Sequence, residues 1–216
     1  MTWLAGRFSR RLFPSLVPFV LAGCSAVFGA SSPARLYRLT PTSAFPGKLP
    51  HRSVQLLIDV PLAPPGLDTS RIALSRSAIS IDYFADSEWT DRIPLLLQTA
   101  LLQTFEDSGA MRAIDRESAN LRADFILDPE IRHFEAVYDS ANGAPEARVS
   151  INIRLVDPIG RDIVAQASLE DRRRASANDM PAIIWAFNEA LGEVMKEIVV
   201  WTVTKTALPV KRSQLF

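Results

Sequence analysis

Cys24 is the first group in this chain whose type and setting invite chemistry. It is the only cysteine among 216 residues, and it directly follows Leu21-Ala22-Gly23. One cysteine closes no intramolecular disulfide and builds no zinc site of several thiolates, so what remains is a free thiol or a sulfur that accepts a covalent group. His51 and His133 lie far apart, with no cysteine or Glu-rich ligand pattern beside them. They read as surface or strand residues, and no metal is expected. Asp82, Asp86, Glu88 and Asp91 cluster ahead of a helical stretch. Paired carboxylates can divide acid and base roles, but acids placed there also solvate a loop and complement the helix dipole, which is the simpler reading. Gly-x-Ser-x-Gly and the phosphate-binding Gly-x-x-x-x-Gly-Lys-[Ser/Thr] are both absent. No enzyme activity, catalytic residue or cofactor is therefore expected. Tyr83, Phe84 and Trp89 precede the same helix. Two roles stay open for them: clamping the helix to a sheet, or anchoring a partner, since Trp and Tyr dominate interface hot spots.

The residues before Cys24 form a segment of their own. Arg7, Arg10 and Arg11 give a positive start with no acid near it, and Leu12 to Leu21 is an apolar run. That run is roughly 10 residues, far short of the ~20 a bilayer-spanning helix needs, and Pro14 and Pro18 weaken helix further. It reads as an export signal over 1–23. Leu21-Ala22-Gly23-Cys24 resembles the bacterial lipobox, in which the thiol receives diacylglycerol after cleavage. Each buried CH2 adds about 0.8 kcal/mol, so two or three acyl chains anchor stably. Cys24 is thus the expected lipid attachment. Ser9-Arg10-Arg11-Leu12-Phe13 also resembles a twin-arginine signal, which leaves the export route open. Ser25 rather than Asp follows Cys24, which in a two-membrane cell favours the periplasmic face of the outer membrane over the inner membrane. Lys plus Arg equals Asp plus Glu at 24 each, and cleavage removes three arginines and no acid. That balance gives no reason to expect nucleic acid.

Elements must position these groups, and 48% hydrophobic residues suffice for a core. Residues 24–35 are small and polar, as a tether should be, ahead of a domain over 36–206 and a tail over 207–216. Leu36 to Thr40 and the nearly apolar Val54 to Val60 read as strands, the second central. Pro61 to Asp68 is a loop. Arg71 to Phe84 predicts two short strands or one bent strand. A helix follows, capped by Thr90 or Asp91, with Pro94 in its first turn; Ile93, Leu96, Leu97, Ala100, Leu101 and Phe105 face inward, and Gly109 ends it. Ala123 to Asp139 reads as a strand region bent at Pro129, and Asn142-Gly143 as a turn. Val149, Ile151, Ile153 and Leu155 alternate with Ser150, Asn152 and Arg154 on an outward face, and Pro158-Ile159-Gly160 turns this strand into a partner. Asn178 or Asp179 caps a final helix with Pro181 at its start; Ile184, Phe187, Leu191, Val194, Ile198 and Trp201 form its stripe. The order strands, helix, strands, helix predicts an α+β two-layer domain, an antiparallel or mixed sheet packed by two amphipathic helices.

Several stretches in this order resemble the ABC-type transport auxiliary lipoprotein family, which includes the lipoprotein of the paraquat-inducible lipid-transport system. They are Leu21 to Cys24, Leu36 to Pro41, Leu56 to Asp68, and Arg71 to Gly109 with its bent strand, aromatic strand, Trp89 and amphipathic helix. The likeness covers roughly residues 21 to 205. It implies a non-enzymatic auxiliary component that accompanies an ABC permease and ATPase and docks an MCE-domain protein moving lipid between membranes. A carrier lipoprotein holding lipid or another small hydrophobic ligand in its own cavity is the alternative. That one predicts a pocket of several hundred cubic ångströms between sheet and helices, where docking predicts a filled core. Self-association stays open.

Overall fold

The computed structural model describes residues 33–207 apart from 42, 43, 46, 141 and 142. Cys24, most of the expected tether, Asn142 of the expected turn, and 208–216 lie outside the described residues. In chain order the elements are β1 (Arg35–Tyr37), β2 (Arg52–Ile58), β3 (Arg71–Ser77), β4 (Ser80–Trp89), α1 (Ile93–Ser108), β5 (Met111–Arg116), β6 (Phe125–Val137), β7 (Glu146–Asp157), β8 (Asp162–Arg174) and α2 (Met180–Lys205). The result is α+β, one mixed eight-stranded sheet with two helices packed on it.

β6 organises the sheet. One edge carries β7, antiparallel, and β7 carries β8. The other edge is shared: β2 runs parallel to its first part, with Leu56 opposite Phe125 and Ile58 opposite Leu127, and β3 runs parallel to its last part, with Leu74 opposite Ala136. β5 flanks β2, and β4 then β1 extend from β3. Parallel strands covered by helices should be apolar throughout. Leu56, Leu57 and Ile58 accordingly are buried without alternation.

Strand β6 continues without a break through Pro129, where a bend is expected. A residue's N–H and C=O point to the same neighbour in a strand, and the Pro129 carbonyl accepts from Leu62 N (3.0 Å) in the loop between β2 and β3. Its missing N–H therefore faces that sparsely paired loop and not the β7 ladder, which continues through Pro129 opposite Ile153. The irregularity falls later, between Ile131 and His133. This bulge sets His133 opposite Ser150, which keeps its expected place on the face opposite Val149 and Ile151 but is buried there. β5 was not foreseen either: Arg112, Asp115 and Arg116 break its apolar pattern, and its pairing with β2 makes it a strand.

The helices differ at their starts. α2 is capped as expected by Asp179, whose Oδ1 accepts from Ala182 N at 2.9 Å. α1 begins after Arg92, not Thr90 or Asp91, and has no side-chain cap bond; Pro94 lies in its first turn. At its far end Gly109 takes φ 58° and donates to Glu106 O, a left-handed stop that suits glycine. Phe187, Leu191, Val194 and Ile198 of α2 meet Val149, Ile151, Ile153 and Leu155 of β7, all at zero exposure. Among the described residues no helix is long and apolar enough to cross a membrane.

Candidate docking surface

The three aromatic residues singled out in the sequence share β4 but not one environment. Trp89 is 1% exposed. Its ring meets Phe187 edge-on (5.4 Å, 88°) and Phe134 at 5.8 Å, while Phe134 and Phe187 stack at 5.0 Å. These contacts join β4, β6 and α2, so Trp89 is a clamp and its side chain is out of a partner's reach. Its indole Nε1 has no hydrogen-bond partner among the described residues.

Tyr83 and Phe84 are half-buried. The Tyr83 hydroxyl donates to Gly66 O at 3.0 Å, and the Arg71 guanidinium lies 3.7 Å over its ring. Phe84 is 6.4 Å from Tyr138, whose hydroxyl donates to Asn178 Oδ1 at 2.8 Å and whose ring carries Arg76 at 4.7 Å. Burial pushes the Tyr138 hydroxyl above its ordinary pKa, and Arg76 opposes that rise. Strand β4 reaches both environments through a bulge. Arg71 faces Glu88 and Ala73 faces Tyr83, so β4 gains extra residues between, and Asp86 takes φ 50° among them.

That geometry also disposes of the acidic cluster. Asp82, Asp86 and Asp91 are exposed. Glu88 accepts from Ser70 Oγ at 3.3 Å, and Asp91 accepts from Arg92 N at 2.7 Å. No metal-binding group of carboxylates and histidines occurs among the described residues. His51 is exposed, and His133 Nδ1 lies 2.8 Å from Glu135 Oε1 on β6.

The β3–β4 turn borders a groove of about 680 Å³ whose lining includes Ile79, Ile81, Arg76, Arg132, Arg148 and Tyr138. Ile79 is 98% exposed and Ile81 39%. Sequence reasoning passed over this pair. The signal was present as two β-branched residues two apart amid Ser and Ala, which puts both on one side of a strand end. Arg132 pairs with Glu130 (3.1 Å) and Arg148 with Glu170 (3.0 Å), whereas Arg76 has no carboxylate partner among the described residues. A second open groove, about 660 Å³, runs along α2 between Phe45, Leu169, Val200 and Trp201. Beyond these, β8 offers an edge with no strand on it among the described residues, guarded by Glu170, Asp171, Arg172, Arg173 and Arg174 near its end.

A family model described as the ABC-type transport auxiliary lipoprotein component matches residues 37–199. A crystal structure of a Xanthomonas campestris protein superposes with a TM-score of 0.75 at 28% identity, covering 81% of this chain and 97% of that one. An uncharacterised protein of known structure has the same fold at 11% identity, with a TM-score of 0.62 over 79% of this chain and 99% of its own. An uncharacterised protein of Bradyrhizobium diazoefficiens is 31% identical over 187 residues, which are 85% of this chain and 49% of the relative. The chain thus spans about half the length of that curated relative. Since the family match starts at the end of β1, takes in every later strand and ends inside α2, the chain belongs to the ABC-type transport auxiliary lipoprotein family.

Proposed function

We propose that this protein is a lipid-anchored, non-catalytic subunit of an MCE/ABC-type intermembrane lipid transporter, held at the periplasmic face of the outer membrane by acyl chains on Cys24. It docks the MCE-domain partner there, and the transport chemistry belongs to the other subunits. The family match over residues 37–199 carries this reading. The packing supports docking over carrying. The space between the sheet and the helices is filled by side chains at or near zero exposure, and the grooves described above open onto the surface. Tyr83, Phe84 and the unpaired edge of β8 are the surfaces offered to the partner, with Trp89 holding β4 rigid behind them. Molecules confined to one membrane meet a partner at high effective concentration, so a weak contact is enough.

The apolar groove beside Val200 and Trp201 is the one feature that favours a carrier. A pull-down of the acylated protein from detergent extract separates the two. Co-purification of an MCE-domain protein is the expected result, and recovery of lipid with no such partner would overturn docking in favour of the carrier.

A further inference from the structure

We propose that the β3–β4 turn is a second membrane contact, with Ile79 and Ile81 entering an anionic lipid interface and Arg76 meeting its headgroups. A lone exposed isoleucine is ordinary. Here two of them, 98% and 39% exposed, stand at one turn beside Arg76, while Arg132 and Arg148 of the same groove are paired with Glu130 and Glu170. The one carboxylate lining the same groove, Glu135, is held by His133. Arg76 has no carboxylate partner among the described residues, and its guanidinium rests on the Tyr138 ring. An apolar tip below a cation and an aromatic ring is the arrangement that suits the boundary between acyl chains and headgroups.

Chain direction gives an independent reason. β1 is parallel to β4, with Leu36 opposite Glu88, and β4 runs away from the turn. The backbone entering β1 therefore arrives from the side of the turn. Glu88 also faces Arg71, so the turn lies the length of β3 away, about 20 Å at 3.3 Å per residue. The segment from Cys24 to Arg35 extends to at most about 40 Å. A lipid on Cys24 thus reaches the level of the turn with slack and keeps the tip at high effective concentration over the bilayer. A tether leaving β1 in the other direction would have to double back.

The proposal takes from the preceding section only that Cys24 is acylated, and its test keeps the two apart. In the acylated full chain, Ile79→Cys supplies the one free thiol for an environment-sensitive fluorophore, as does Ile159→Cys in the β7–β8 turn at the opposite end of the sheet. The labelled proteins are placed on phosphatidylethanolamine/phosphatidylglycerol vesicles containing brominated acyl chains. Quenching several-fold stronger at position 79 than at 159, and reduced by Arg76→Glu, is expected. Equal, weak quenching at both positions in protein that co-floats with vesicles overturns the contact, and leaves the turn to a protein partner. Protein that does not co-float, with an unmodified sulfur by mass spectrometry, sinks the anchor instead. The same label on a Cys24→Ser chain then decides the turn by itself. A blue shift on phosphatidylglycerol vesicles but not on phosphatidylcholine sustains the contact, and no shift overturns it.

Discussion

Trp89 shows how far a residue type alone can be read. Its sequence setting, two aromatic neighbours and a helix to follow, favoured a clamp but left a partner anchor open. The partners that decide between them, Phe134 and Phe187, come from β6 and α2, and nothing local announces them. Trp89→Ala should cost about 3–5 kcal/mol, read as a lower urea midpoint with an unchanged slope. Tyr83→Phe, which removes only the bond to Gly66 O, should cost about 1 kcal/mol. Glu170 answers to pH. Arg148 donates to it through Nε (3.0 Å) and Nη2 (3.2 Å), Arg172 adds a third bond at 2.8 Å, and together they hold its carboxyl at about 2 against burial, which raises it. A carboxylate whose pKa is depressed by folding stabilises the fold in full above its unfolded value and loses that contribution as pH falls through the folded one. The fold should therefore weaken between about pH 4.5 and 2 by on the order of 1 kcal/mol, after screening of a partly exposed pair. Acid titration of Glu170→Gln should lack that step.

Helices and long strands were legible because periodicity and caps are written locally. Asp179 followed by Pro181 marks the start of α2, and the observed bond to Ala182 N satisfies one of its free N–H groups. Asp179→Ala should lower stability by about 1 kcal/mol. Thr90→Ala should be nearly neutral, because Thr90 lies ahead of the Arg92 cap and α1 has no side-chain cap; thermal melts of the two variants check the contrast. The β7–β8 hairpin also follows from alternation and a Pro-Ile-Gly turn. The failures have one physical source. β5 is a strand because β2 lies beside it, and Pro129 is tolerated because its nitrogen faces a loop, so in both cases a neighbour distant in sequence overrides the local pattern. Ser150 is buried between His133 and Glu170 of the two neighbouring strands, partners again invisible along its own.

At the scale of the whole molecule, the sequence pattern largely predicted the fold, while the proposed attachment rests on four residues, Leu21 to Cys24. Cys24→Ala should move the protein from the membrane fraction to the soluble periplasmic fraction, and an immunoblot of the fractions reads this directly; continued sedimentation with membranes would remove the anchor. The rest of the molecule depends on β6, whose one edge receives β2 at its start and β3 at its end. Neither of those strands completes a sheet until the chain beyond residue 124 is present, and the helix that covers β7 and β8 comes later still. A nascent chain halfway emerged holds β1, β3 and β4, which can pair with one another, but not the strand that joins them to β2. The single sheet therefore closes only after residues 125–137 have followed every strand that they bring together at that edge.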